Sequence, residues 1–454
     1  MITDIFIGLV ALSAVVAFGN WRIAMFLVLV VGMLQDPVRK LTPEAPSIFV
    51  LSTLPIWFAI MVKIFAGENK VLAIFSRDYL KLISRMRMFT LMLIPGSTIM
   101  LMRGFFLWKV VLLGAFSYIV PIFGIIIGFV FSQNTKHILR FLTFYCLLVA
   151  LMLSGTLIEY MNIFPDWKAI GTSVMKMVWI KYVSFGHTIY MKAGFFRSPD
   201  IMGWHGSMMT MLALTLFFVN RPRLSRWVWL VFAVWGVLCI VISGRYKMVA
   251  MPMVWTVSFA ILIFLYQGIA RVIGLALIGI LVITGMSMVS SKVGLAGSDF
   301  MLYATSPLSY SVERADSQGV DAMISTFKQT GIWGKGLGSA TQGSQHTRVK
   351  FTAETKGWQE GGLSKILGEL GVGGVVFFLL LCLSLFTAII SIIREKVSSD
   401  SLYYLRAGLL SIIVANAFAF VVSAQVYSDL FIVSIISMCV GFVLSGKSVG
   451  KTKV

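Results

Sequence analysis

Residues 366–391 read ILGELGVGGVVFFLLLCLSLFTAIIS, a run whose only charge is Glu369. Crossing the hydrocarbon core of a bilayer takes about 20 mainly apolar residues. The run therefore predicts a transmembrane helix, with one carboxylate near its start. Moved outward along the chain, the same test predicts about thirteen spans. They are 2–18, 22–35, 47–66, 88–102, 108–131, 141–159, 201–219, 227–242, 248–266, 272–289, 366–391, 405–424 and 427–445. The first two lie so close around Asn20-Trp21-Arg22 that twelve is the alternative count. Pro95-Gly96 predicts a kink in the fourth.

Composition agrees with this reading. Hydrophobic residues make up 58% of the 454 and charged ones 12%, against about 25% charged in a soluble domain. So much apolar surface cannot hide in one water-facing core. A soluble enzyme, a disordered chain and a secreted disulfide scaffold are excluded. The continuous apolar runs also exclude a porin, whose strands alternate. The expected fold is an all-α polytopic membrane protein of about 12–13 transmembrane helices. It forms a single integral membrane domain over 1–454, with no internal repeat. The N-terminal MITDIFIGLVAL has no basic region and no cleavage site, so it reads as a first span. Cys146, Cys239, Cys382 and Cys439 sit in apolar runs and read as small buried hydrophobes.

Lys and Arg number 38 against 18 Asp and Glu, a formal net charge of +20. Cytoplasmic loops of membrane proteins hold Lys and Arg. Placing Lys70, Arg77, Lys81, Arg85 and Arg87 in the cytoplasm and alternating the spans puts every clearly basic short loop on that side. These are Lys136 and Arg140; Arg221, Arg223 and Arg226; Arg271; Arg394, Lys396 and Arg406; and the tail with Lys447, Lys451 and Lys453. The C-terminus is expected to be cytoplasmic. Two long loops, about 160–200 and 291–365, then fall on the external face. Loops of that length are usually functional, and their aromatic residues predict short helices against the membrane.

The polar residues gather in those loops. Lys192-Ala-Gly-Phe-Phe-Arg197-Ser-Pro-Asp200-Ile-Met-Gly-Trp-His205 leads into a span. Pro199 suits a helix start and Asp200 a first turn. This is an interfacial cap, or an anion site with Arg197 facing a phosphate at a helix N-terminus. Ser243-Gly-Arg245-Tyr-Lys247 occupies a very short external turn, where positive charge runs against the inside rule. There Arg245 can grip a diphosphate bidentately, with Lys247 as a point charge; a neutral tight turn is the alternative. The second loop carries Glu313-Arg314, then Gly331-Ile-Trp-Gly-Lys-Gly-Leu-Gly338, then His346, and closes on Trp358-Gln-Glu360-Gly-Gly-Leu-Ser-Lys365-Ile-Leu-Gly-Glu369. The glycine pattern has no strand ahead of it and reads as a tight turn rather than a nucleotide loop. Glu369 is either a functional acid or a carboxylate paired to a neighbouring helix's Lys or Arg. Of the other histidines, His137 lies on the cytoplasmic side and His187 in the first loop. No His, Cys or carboxylate cluster has metal-ligand spacing, and no nucleophile elbow occurs. Neither a metal nor a cofactor is expected.

Taken together, these stretches resemble the O-antigen ligase and polysaccharide polymerase superfamily of bacterial membrane glycosyltransferases, over about residues 140–445. Gly-Phe-Phe-Arg-Ser-Pro-Asp is similar to that family's Gly-x-Phe-x-x-Pro-Asn element. Ser243-Gly244-Arg245 resembles its Ser-Gly-Arg turn. Gly-Leu-Ser-Lys-Ile-Leu-Gly-Glu-Leu-Gly resembles the end of its large loop. Gln35-Asp36-Pro37-Val38-Arg39-Lys40-Leu41 is similar to an exopolysaccharide-cluster subfamily. Where the ligases carry a His-Asn pair, this chain has Glu360-Gly361, which favours a polymerase-like member.

The resemblance implies an inner-membrane enzyme that polymerises, or ligates, polyprenyl-diphosphate-linked oligosaccharide at the external face. Arg197, Arg245, Arg314 and Lys247 would hold the diphosphate. Glu360 or His346 would be the base, with Asp200, His205 and Glu369 in support. Its partners would be the lipid-linked glycan, membrane lipid, and a flippase and chain-length regulator of the same pathway, with no nucleic acid. The rival is a transporter or flippase of lipid-linked glycan, which would show an internal repeat of spans; an accessory subunit of a secretion assembly is a further alternative.

Overall fold

The computed structural model describes residues 1–43, 45–163, 180–182, 188–219, 223–267, 320–341, 344, 361–395 and 399–446. Ten helical stretches among them are long and apolar enough to cross a membrane. The chain is a multi-pass, helical membrane protein. Helix α1 (Ile2–Gly19) and α2 (Trp21–Leu41) are followed by a 3-10 turn, Ser47–Leu51, and α3 (Leu54–Gly67). Next come α4 (Asn69–Asp78), α5 (Leu80–Leu91), α6 (Leu93–Met102), α7 (Trp108–Phe131) and α8 (Thr135–Tyr160). After a short hairpin, β1 (Ile180–Tyr182) and β2 (Thr188–Tyr190), run α9 (Pro199–Val219), α10 (Arg223–Ser243) and α11 (Tyr246–Gln267). The rest is α12 (Val320–Thr330), α13 (Gly362–Ile393), α14 (Asp400–Val422) and α15 (Leu430–Leu444).

The expected spans reappear with instructive differences. The span at 272–289 lies outside the described residues. The fourth is broken at Met92, not at Pro95-Gly96. Pro95 sits in the first turn of α6, where its missing N–H is not needed; its ring displaces the break upstream. The second span does not stop at 35 but runs through Pro37 to Leu41, carrying Asp36, Arg39 and Lys40 as helical residues. The last begins at Leu430, because Asp429 caps it by accepting from the backbone N–H of Phe431 (2.8 Å) and Ile432 (3.2 Å). The expected short helix occurs in the second long loop, as α12. The described part of the first loop is instead the antiparallel hairpin, pairing Ile180 with Tyr190 and Tyr182 with Thr188. β-branched and aromatic residues favour that pairing. Cys146, Cys239 and Cys439 are buried as expected, whereas Cys382 is exposed on α13.

Helix α9 is the axis of the bundle, with 89% of its apolar window buried, against 6% for the peripheral α13. It packs against α8, α10, α11 and α14. Small residues permit this closeness: Gly206 of α9 faces Gly236 of α10, the kind of contact that draws helices together in lipid. Contacts sort the helix ends into two sets. At one end Tyr79 donates to the Leu444 carbonyl (2.5 Å), Arg406 to that of Gly446 (2.6 Å), and Arg22 pairs with Glu68 (3.1 Å). This is the end of the basic short loops. At the other, α2 meets the approach to α9 through Asp36 and Lys40, α11 meets the start of α9 through Lys247 and Asp200, and α13 meets the turn before α15 through Lys365 and Ser428.

Candidate functional site

The site grows from the stretch between α8 and α9. Glu159, at the end of α8, accepts from the backbone N–H groups of Ala193 (2.8 Å) and Gly194 (2.6 Å). Lys40 of α2 donates to the Gly194 carbonyl. Gly194 has φ +56°, and a Cβ there would press on the backbone of Thr156. So held, the chain delivers Arg197 between two carboxylates. Its Nη1 meets Asp36 at 3.0 Å, its Nη2 meets Asp429, and its backbone N–H donates to Asp36 at 3.2 Å. Burial disfavours the guanidinium charge, but the two carboxylates outweigh it and raise the pKa. Arg197 therefore ties α2 and α15 to the start of α9.

Three residues on, Ser198 and Pro199 open α9 as cap and first residue, and Asp200 falls in the first turn. Arg245, from the turn between α10 and α11, and Lys247, from the first turn of α11, both pair with it, at 2.8 Å and 2.9 Å. Lys247 also donates to Ser423 (2.8 Å) and Gln425 (3.4 Å). Two sequence stretches singled out above thus converge at one end of the bundle. His205 is placed otherwise. It is buried within α9, stacked on Phe196 (4.9 Å between rings) and within 2.8 Å of the Tyr145 hydroxyl. Trp204 and Phe431 complete an aromatic box around it. That is a satisfied core histidine rather than a support for the charged groups.

A third group surrounds Glu369, which is fully buried on α13. Among the described residues no Lys or Arg of a neighbouring helix forms an ion pair with it. Its carboxylate accepts from the Tyr118 hydroxyl (2.8 Å), the Thr341 hydroxyl (2.8 Å) and the Ala340 N–H (3.0 Å). The last two belong to the glycine-rich segment Gly331–Thr341. That segment is no simple turn: Gly331, Gly334, Gly336 and Gly338 all have positive φ, from 66° to 99°. It threads between α6, α7 and α13. Lys335 N–H donates to Gly368 (2.6 Å), Leu337 N–H to Gly96 (2.9 Å), and Val372 N–H to Ile332 (2.9 Å). A side chain at Gly338 would collide with the Val110 carbonyl. The helical path of α13 breaks at Gly371 (φ 68°) where the segment crosses it. Gly114, which Gly338 touches, lies six residues into α7, about 9 Å along its axis. Non-helical backbone at such depth is tolerated only when protein surrounds it; here Leu337, fully buried, anchors it.

Glu369→Gln keeps acceptors for Thr341 and Ala340 and is expected to cost roughly 1 kcal/mol. Glu369→Ala orphans three donors and should cost roughly 3 kcal/mol or more. Thermal melting in detergent checks this; equal melting of the two variants would show that the carboxylate does not pin the segment.

Arg314, His346 and Glu360 lie outside the described residues. The sequence reading missed Asp429, and quoted Asp36 and Lys365 only within motifs. Asp429 closes a polar turn, Ser423-Ala-Gln-Val-Tyr-Ser-Asp429, between two apolar runs. That polar cluster without cations was the available signal. The turn is the hub of the site: its residues bond Lys247, Lys365 (Ser428, 3.2 Å) and Arg197. Helices α1, α3 and α7 line a half-open apolar cleft of about 740 Å³, walled by Phe6, Phe49, Trp57, Phe116 and Phe123 and reaching Ser434 of α15. No protein-family model matches the chain, and no curated protein matches it.

Proposed function

We propose that the chain is a membrane glycosyltransferase of the bacterial inner membrane that polymerises polyprenyl-diphosphate-linked oligosaccharide at the external face. The observation that carries this reading is the convergence of the Arg197–Asp200 stretch with the Arg245–Lys247 turn, around one polar hub at the end of the bundle away from the basic short loops. In the reaction, the bond from the donor sugar's anomeric carbon to the phosphate oxygen breaks. A bond from that carbon to an acceptor hydroxyl oxygen forms, polyprenyl diphosphate leaves, and a base takes the hydroxyl proton. The cations stabilise the departing charge, and Glu360 or His346 is the base. The apolar cavity suits the lipid chain. A flippase would supply the substrate, and a chain-length regulator would act on the product. Cells lacking the protein are expected to accumulate single repeat units on lipid and to make no polymer; normal polymer in such cells would sink the reading.

A second reading, a transporter of lipid-linked glycan, is favoured by one feature. Broken helices with unwound backbone at depth, as at Gly371 and Gly331–Thr341, are a transporter device.

The sidedness is tested directly. In a functional chain, cysteine replacing Ser317 should react with an impermeant thiol reagent in intact cells, and cysteine replacing Ser448 should not. The reverse pattern would invert the topology and put the site in the cytoplasm.

A further inference from the structure

Arg197 serves as a strut between Asp36 and Asp429, and Asp200 holds Arg245 and Lys247. The apolar cleft between α1, α3 and α7 is different, because polar atoms at its wall have no partner. Ser52 and Trp57 both line it. The Ser52 hydroxyl and the Trp57 indole N–H are buried and make no hydrogen bond, and neither does the buried hydroxyl of Thr53. Thr53 is fully buried and Trp57 is 5% exposed. Thr53 immediately precedes α3, yet its side chain makes no cap hydrogen bond there. It and Trp57 stand four residues apart and so share one face. An indole N–H only donates, and a hydroxyl donates or accepts. Three such groups left unbonded in a buried setting cost stability, and each calls for a group that it receives.

The place and length of the cleft identify the molecule that carries that group. Helix α3 ends at Gly67, next to the Glu68 that pairs with Arg22 at the end of the basic short loops. Ser52, Thr53 and Trp57, at its start, therefore lie towards the opposite end of the bundle. The cleft follows α7 from Leu112 to Ile127, about 22 Å along its axis. One leaflet contributes about 15 Å of hydrocarbon. A fatty-acyl chain anchored in the nearer leaflet stays in its own half, whereas a chain that fills the whole cleft passes the bilayer midplane. The wall is aliphatic and aromatic and holds no charged residue. Its neutral donors can receive an oxygen but cannot neutralise a phosphate. The cleft thus fits a long isoprenoid chain and the oxygen that ends it, with the charged part of the head outside.

We infer that this cleft seats the isoprenoid chain of a polyprenyl phosphate or diphosphate, entered sideways from the bilayer, and that Ser52, Thr53 and Trp57 receive the oxygen at the head end of that chain. That the lipid is also a glycosyl donor rests on the function proposed above; the seat itself does not. A donor kept for binding at a cost to folding has a signature: removing it weakens binding without lowering stability.

The test uses the full-length protein in phosphatidylcholine nanodiscs, with undecaprenyl diphosphate and the short-chain geranyl diphosphate as probes. The parent is expected to bind the long chain roughly tenfold more tightly or better, because only that chain fills the cleft. Ile119→Trp, which fills the cleft midway along α7, should weaken undecaprenyl diphosphate by roughly tenfold or more and abolish the preference. Trp57→Phe, which keeps the ring and removes the donor, should weaken it about three- to tenfold with a melting temperature no lower than the parent's. Undecaprenyl diphosphate binding unchanged in both variants would overturn the seat while leaving polymer formation by the parent to judge the function. Equal competition by phosphatidylglycerol would give the cleft to an ordinary bilayer lipid and overturn it as well. Binding as expected, with no polymer from the parent, would uphold the seat and sink the glycosyltransferase.

Discussion

Arg197→Met will unlatch three elements at once. The side chain joins Asp36 of α2 and Asp429, the cap of α15, to the stretch that starts α9. Asp36 is 3% exposed and Asp429 1%, so both carboxylates would be stranded in a buried setting. Breaking a buried pair by removing one partner costs about 3–5 kcal/mol. Two stranded acids place this variant at the upper end of that range. The apparent melting temperature in detergent should fall by several degrees. Adding Asp36→Asn and Asp429→Asn should recover most of the loss, because no uncompensated charge remains. If Arg197→Met melts with the parent, the strut does not exist; if the triple variant melts with the single one, the loss is of packing and not of charge.

Glu360→Gln should abolish polymer formation while leaving insertion and folding intact. The residue stands immediately before Gly361, which is buried and marks the start of α13. General-base catalysis contributes typically 10²–10⁴-fold, and an amide cannot accept the proton. An acid that only favours the helix start would leave the rate near normal and cost a few tenths to 1 kcal/mol of stability. His346→Ala should be milder. A normal rate for Glu360→Gln together with a dead His346→Ala would transfer the role of base to His346.

The fold could be read from the sequence to the extent that it depends on local apolar length. A run such as Val375–Ile393 declares itself, and one-sided basic loops give the alternation of helix ends. The boundaries that carry the site could not be read this way. Nothing local shows that α2 continues through Pro37, because the charges of Asp36, Arg39 and Lys40 argue for a helix end. They are tolerated only because of tertiary partners, Arg197 lying 161 residues away from Asp36 and 232 from Asp429. The cations were legible as residues out of place at a span's mouth. Of their carboxylate partners, Asp200 was legible in the same way, whereas Asp36 showed only within a motif and Asp429 not at all. The glycine-rich segment was seen but read too simply, since its four left-handed residues make sense only against the helices it threads.

The most direct test of the central claim is reconstitution of the purified chain alone into liposomes, with polyprenyl-diphosphate-linked oligosaccharide as the only added substrate. The account predicts a ladder of glycans differing by one repeat unit, with one polyprenyl diphosphate released for each new linkage and no nucleotide needed. Movement of intact lipid-linked oligosaccharide across the bilayer, with no longer glycan and no released diphosphate lipid, would contradict it and make the chain a transporter.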